Sequence, residues 1–549
     1  MIVSRTLVAL AASVVMMSGL PAHADPGPVV QSPQGAVEGQ SDGVVRAFKG
    51  LPYAKPPVGD ARWTAPKPAA DWQGVRKATQ FGPSCIQPFP LPKSIYTDVP
   101  ARMSEDCLNL NVWTPNDAKG APVIVWIHGG AFTTDATSEG VYDGAKLARK
   151  GVVVVSMDYR LGVLGYLAHP ELSAESPRGV SGNYGLLDQI EALRWVKRNI
   201  AAFGGDPSNV TIAGESAGGL SVLYLMTSPD AQGLFSKAIA ESAYMISTPA
   251  LKDAVLGQKS AEMSGAIIAA KLGAPHIAAL RQLDGRIITN YAAALGFSPV
   301  GTVDGQVLPK QLVDAFEHGE QAHVPVLVGF NSGEIRSLRV LAAHRPADAA
   351  TYESQIRTRY GDLADAYLKL YPSTDLEESV IAATRDALYG WTAERVAIDQ
   401  TQAGQPAYLY LFDHGYPAAD NAGLHGFHAS EVPYVFGADH LPPFWPKPPA
   451  NAQDAAMSDA IMGYWSSFAR TGTPEAVGAP AWPLFGQTHA YMAFKDTPQP
   501  ADNLMPGMYT LNEAVVCRRR AEGNTPWNWN IGLLSPPIPA QAPGCPSAP

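Results

Sequence analysis

Ser216 lies in Gly214-Glu215-Ser216-Ala217-Gly218, a G-x-S-x-G pentapeptide preceded by the β-branched stretch Val210–Ile212 and followed by the helix-compatible stretch Leu220–Met226. A strand, a sharp turn and a helix around such a serine make a nucleophile elbow. The flanking glycines let other backbone pass close by, and the turn lifts the hydroxyl above the sheet. A serine hydroxyl is a weak nucleophile, so it needs a base to take its proton, a group to orient that base, and donors for the oxyanion formed on attack. His128-Gly129-Gly130-Ala131-Phe132, directly after the apolar run Pro122–Ile127, is a glycine turn whose amides can converge on one oxygen. Gly130, Ala131 and, after the nucleophile, Ala217 are therefore the candidate donors.

On an open α/β sheet the chain order for such a set is serine, acid, histidine. The acid candidate is Glu334, in V-L-V-G-F-N-S-G-E just beyond an apolar strand; Asp304 competes, although it precedes a loop and does not end a strand. The histidines after Glu334 are His344, His414, His425, His428, His440 and His489. His425 and His428 share the run H-G-F-H-A-S-E-V-P-Y-V-F-G, and physical chemistry alone does not separate them.

The elements that must position these groups alternate between strand and helix. Pro122–Ile127 and Val152–Met157 are short and wholly apolar, as strands buried on both faces should be. Asn183–Gly204 carries Leu187, Ile190, Leu193, Val196 and Ile200 at helical spacing and ends at Gly204–Pro207. Further strands are expected at Ser236–Ile239, Val324–Phe330 and Ala407–Phe412, which together predict an α/β sheet covered by helices. Leu108, Leu110 and Val112 alternate with Asn109 and Asn111, the pattern of a half-buried strand. Phe48–Trp63, rich in proline and glycine, reads as a fixed surface connection. Segments at about 245–320 and 335–400 read as long helical insertions, which either shape a pocket or pack as an outer layer.

Composition narrows the classes. Met1–Ala24, with Arg5 as its only charge, an apolar run Leu7–Met17 and the small-x-small site Ala22-His23-Ala24, reads as a secretory leader. Its removal leaves 525 of 549 residues, expected as one catalytic domain with helical insertions, secreted or periplasmic. No later uninterrupted apolar run is long enough to span a bilayer. Hydrophobic residues make up 46% of the chain, which excludes global disorder. The net charge of −10 becomes −11 when Arg5 is lost, and without a basic cluster this argues against a nucleic-acid binder. Nothing in the chain specifies an oligomer, and a monomer is expected. The four cysteines, Cys85, Cys107, Cys517 and Cys545, allow three pairings; the sequence-local one, Cys85 with Cys107 and Cys517 with Cys545, is expected, at ~3 kcal/mol per bridge. The proline-rich tail from Ser535 is expected to be irregular and tethered by Cys545. No C-x-x-C or zinc-type His/Cys spacing occurs, so neither metal nor cofactor is expected.

Taken together, H-G-G-A-F, S-E-D-C-L-N-L-N-V-W-T-P, F-G-G-D-P-S-N-V-T-I-A-G-E-S-A-G-G, G-F-N-S-G-E and H-A-S-E-V-P-Y-V-F-G resemble the type-B carboxylesterase family, whose members include bacterial esterases and the cholinesterases. The likeness runs from F-K-G-L-P-Y-A to Y-W-S-S-F-A-R-T-G-T-P at Tyr464–Pro474. It implies the α/β-hydrolase fold and serine ester hydrolysis on a small-molecule ester. The histidine three residues before Glu431 and six before Tyr434 is His428, so the resemblance selects His428 over His425 and Glu334 as its acid. It also implies the Cys85–Cys107 loop, and support of the site by Glu215 and Ser242. Ala131 stands where a third glycine is usual, which keeps the amide but alters the pocket. Residues 86–106 hold only Phe89 and Tyr96 as aromatics, so a choline ester held by a loop tryptophan is not expected. The expected activity is hydrolysis of small to medium carboxylic esters. Alternatives are a lipase for longer chains and a non-catalytic adhesion or recognition protein on the same fold.

Overall fold

The computed structural model describes residues 27–89, 93–528 and 531–547; the leader read over Met1–Ala24 lies outside them. Eleven strands form the main sheet: β1 (Gln40–Ser41), β2 (Val45–Pro52), β3 (Asn109–Pro115), β4 (Ala121–Ile127), β5 (Val153–Met157), β6 (Gly205–Glu215), β7 (Lys237–Glu241), β8 (Val326–Asn331), β9 (Ala407–Phe412), β10 (Ala490–Phe494) and β11 (Pro498–Asp502). Their spatial order is β11-β10-β9-β8-β7-β6-β4-β5-β3-β2-β1. The six central pairings, from β5/β4 to β9/β10, are parallel. The two edges are antiparallel, where short turns such as that between Phe494 and Pro498 replace helical crossovers. Helices α1 (Tyr184–Asn199) and α2 (Ala217–Thr227) carry the chain into and out of β6, which places β6 at the centre of the sheet.

The central strands match the apolar runs, and β4, β8 and β9 are buried almost along their whole length. The predicted helix appears as α1, continued by a tight turn Ile200–Phe203 and stopped by Gly204 at φ 91°. Two expectations are corrected. Phe48–Pro52 belongs to β2, with Phe48 and Leu51 fully buried. A register shift between Phe48 and Leu51 accommodates Gly50 at φ 71°, so the glycine marks a β-bulge inside a strand, not a loop. The alternating strand β3 is not half-buried either: Asn109 and Asn111 are as enclosed as their apolar neighbours. Asn111 takes the Gly50 N–H at 2.9 Å and donates to Thr137 at 3.0 Å and Ser156 at 3.1 Å, which satisfies its amide inside the core.

Both insertions are helical. The first holds α3 (Ala261–Lys271) and α4 (Gly285–Ala294); the second holds α5 (Ala349–Tyr360), α6 (Leu376–Arg385) and α7 (Trp391–Gln402), with a π-type turn over Asp386–Gly390 between the last two. Cys85–Cys107 and Cys517–Cys545 are both bridged, with Cα separations of 4.9 and 5.6 Å. Among the described residues no helix is long and apolar enough to cross a membrane.

Candidate active site

Between β6 and α2 the chain reverses in one residue. Ser216 holds φ 56° and ψ −119°, a conformation that an L-residue keeps only when its surroundings enforce it. Its N–H donates to Glu241 O at 3.0 Å and its carbonyl accepts the Leu220 N–H at 2.9 Å, so β7 and α2 fix the turn from both sides. The glycines are required by crowding: a Cβ on Gly218 would lie 2.0 Å from Ile127 O, and one on Gly214 2.6 Å from the Gly218 carbonyl. Side chains at either position would push β6 and α2 off the end of β4.

Beyond Ile127, the last residue of β4, Gly130, Ala131 and Phe132 take successive left-handed conformations at φ 80°, 53° and 55°. The Tyr159 hydroxyl donates to His128 O at 2.8 Å, and its ring stacks on His128 at 4.4 Å, which anchors the turn to the end of β5. No described hydrogen bond uses the N–H of Gly130, Ala131 or Ala217. These are the three amides expected to act as donors.

Glu334 follows β8 and is completely buried. Its Oε1 accepts the Ser242 hydroxyl at 2.7 Å and the Asn331 N–H at 2.8 Å, while its Oε2 shares a hydrogen bond with His428 Nδ1. His428 sits in the loop after β9. Tyr96 donates to its carbonyl at 3.0 Å, and Asn331 Nδ2 donates to the preceding Phe427 carbonyl at 2.7 Å. Nε2, the ring nitrogen facing away from Glu334, is 3.1 Å from Glu215 Oε1. Burial by itself would lower the imidazole pKa, but the Glu215 and Glu334 carboxyls overcome it and push His428 up to about 9. Burial drives the Glu215 carboxyl well above the usual carboxylate range, against the opposing pull of His428. Glu431, buried and bonded to Asn331 Nδ2, is raised to about 7 by burial and by the Glu334 charge.

Ser216, Glu215, His428, Gly130 and Ala131 line one cavity of about 1080 Å³. Both insertions wall it, through Ile267, Ile268 and Phe297 from the first and Leu338, Leu388 and Tyr389 from the second, so they form the pocket. His425 points elsewhere, pairing with Asp420 at 2.8 Å and Asp413 at 3.2 Å. Asp304 accepts the Gln306, Val307 and Leu308 amides and the Asn183 side chain, a loop-closing role away from His428. Asn331, Tyr96 and Tyr159 are contacts that the sequence reading did not single out; only the position of Asn331 at a strand end carried a signal. Among the described residues no group of three or more His, Cys, Asp or Glu is placed to hold a metal ion.

A large, mostly parallel sheet flanked by helices, with a serine on a strand–helix elbow, defines the α/β-hydrolase class. The chain belongs to the carboxylesterase family, whose model matches residues 26–510, and is a carboxylic ester hydrolase. It is 38% identical over 469 residues to para-nitrobenzyl esterase of Bacillus subtilis (83% of this chain, 92% of the relative). It is 37% identical over 489 residues to fumonisin B1 esterase of Sphingopyxis macrogoltabida (86% and 87%). Among solved structures, a PNB esterase superposes with a TM-score of 0.76 at 33% identity, covering 88% of this chain and 99% of that one. A Geobacillus stearothermophilus carboxylesterase at pH 6.2 gives 0.74 at 32%, covering 91% and 100%.

Proposed function

We propose that this carboxylesterase cleaves small to medium carboxylic esters through an acyl-enzyme on Ser216. His428 takes the hydroxyl proton as Ser216 attacks the carbonyl, then returns it to the leaving alcohol, and water repeats the cycle. Glu334 orients the imidazole and stabilises its cation, held in turn by Ser242 and the Asn331 amide. The Gly130, Ala131 and Ala217 amides receive the oxyanion, each contributing ~3 kcal/mol to barrier lowering by the measure of known donor deletions. The carrying observation is the Glu334–His428 hydrogen bond across the cavity from a serine held at φ 56°. The names of the relatives, a para-nitrobenzyl esterase and a fumonisin B1 esterase, support the hydrolysis of carboxylic esters.

Ser216→Ala should abolish hydrolysis of 4-nitrophenyl acetate with unchanged circular dichroism, and a stoichiometric organophosphate label should map to Ser216. A label on another residue, or full activity in the variant, overturns the assignment. We also assign the protein to an exported, oxidising compartment, secreted or periplasmic, a reading supported by its two disulfides. N-terminal sequencing of the mature chain tests it, with Asp25 expected first. Rates on a long-chain ester below and above its aggregation point distinguish an esterase from a lipase.

A further inference from the structure

Tyr96 lies midway along the Cys85–Cys107 loop, within a tight turn in which the Ser94 N–H donates to Thr97 Oγ1 at 3.0 Å and the Thr97 N–H to Ser94 O at 3.2 Å. The middle of a bridged loop is the part its disulfide constrains least, so other contacts must fix this turn. The Tyr96 ring meets Trp445 edge-on at 5.9 Å and the His428 imidazole at 6.3 Å. Its hydroxyl donates to Ser337 Oγ at 2.6 Å and to the His428 carbonyl at 3.0 Å. Ser337 ends the helical turn that Glu334 begins; its Oγ accepts the His428 N–H at 3.3 Å and donates to the Glu334 carbonyl at 3.3 Å. Three segments far apart in sequence, the cysteine loop, the turn of the acid and the loop of the base, thus close into one ring of hydrogen bonds. Both main-chain polar groups of His428 belong to that ring. Burial raises the Tyr96 phenol well above its usual range, and the Glu215 and Glu334 charges add to this, so it stays a donor wherever the enzyme works.

We propose that Tyr96 is a positioning residue through which the Cys85–Cys107 loop, together with Ser337, aligns His428 for proton transfer. The proposal rests on the acyl-enzyme reading of Ser216 and adds to it the device that steadies the base. His428 must stay within hydrogen-bond reach of Glu334 and of the serine proton at once, and a displacement of about 1 Å is enough to slow such a transfer ten- to a hundredfold. Neither hydroxyl has to touch the ester for this, so its loss is expected in turnover and not in KM. Tyr96 also lines the cavity, which places one side chain between the loop that an ester meets and the imidazole that cleaves it.

The test measures turnover of 4-nitrophenyl butanoate per active site, with sites counted by the nitrophenol burst of diethyl 4-nitrophenyl phosphate, so that misfolded molecules drop out of the rate. Tyr96→Phe keeps the ring and removes only the hydroxyl; kcat per site should fall about tenfold with KM within about twofold of wild type. Ser337→Ala should cost about as much, and Ser337→Thr, which keeps a hydroxyl, less than about threefold. Tyr96→Phe combined with Ser337→Ala should be no more than about twofold worse than either change alone, because the same ring is broken once. Replacing Cys85 and Cys107 together by serine should lower kcat per site in the native background and add less than about twofold to Tyr96→Phe. An unchanged kcat per site in Tyr96→Phe overturns the proposal, as does a loss carried by KM, which would make Tyr96 a cavity wall only. Losses that multiply in the Tyr96/Ser337 double variant overturn it too, and an equal cost of the cysteine replacements in both backgrounds separates the loop from Tyr96 and overturns the link between them. A wild type without a stoichiometric burst counts instead against the acyl-enzyme reading, a result that no comparison among the variants can produce.

Discussion

Glu215 and His428 face each other at 3.1 Å in a buried site, and the carboxyls around His428 set the pH range in which the proposed base can work. His428 must be neutral to accept a proton from Ser216, so activity falls as the pH drops through its pKa, which lies near 9 with the carboxyls in place. Removing a carboxyl that raises this pKa moves the acid limb of kcat/KM to lower pH. Glu215→Gln should show that shift in a pH–rate profile; a limb that stays in place means that Glu215 carries no charge in the working enzyme. Geometry at this scale also separates the two histidines that residue chemistry alone left open, since His428 meets Glu334 while His425 meets Asp413 and Asp420.

The loop between β9 and the short helix Val432–Phe436 has to hold His428 against Glu334, and His425 is one of its fasteners. Its bond to Asp413, together with Asp420, overcomes partial burial and raises its pKa to about 9. A folded pKa above the unfolded value of roughly 6.5 gives stability that is fully present below that value and is lost as the pH rises through about 9. His425→Ala should therefore lower Tm clearly at pH 6 and little at pH 10, read by differential scanning fluorimetry. Equal losses at both pH values would assign the residue to packing. The same scale explains the misread β2: a glycine signals a turn in one dimension, but here Asn111 from the neighbouring strand accepts its N–H and keeps the strand in the sheet.

For the whole molecule, one buried ion pair ties the sheet to its central helix. Arg160, just past β5, binds Asp188 of α1 through Nε and Nη2, both at 2.7 Å, and both side chains are almost fully enclosed. Asp188→Asn strands a buried guanidinium and should cost about 3–5 kcal/mol, measured by urea denaturation. A loss within about 0.5 kcal/mol would mean that water enters and solvates Arg160. Tying β5 to α1 also steadies the Tyr159 hydroxyl bond to the glycine turn, one residue away from Arg160.

The sequence by itself determined the family, the order of the central strands along the chain and the strand–turn–helix around Ser216, because each depends on local residue type at fixed spacing, while the choice of His428 and Glu334 as its partners came from the family resemblance. The apolar runs that became β4, β8 and β9 were legible for the same reason: a strand buried on both faces has nothing but apolar residues to offer. Tertiary structure alone decided that Asn109 and Asn111 are buried, that Gly50 bends a strand, and that both insertions wall the cavity. Burial of a polar group depends on where its hydrogen-bond partners arrive from, and those partners come from distant parts of the chain that no local pattern links.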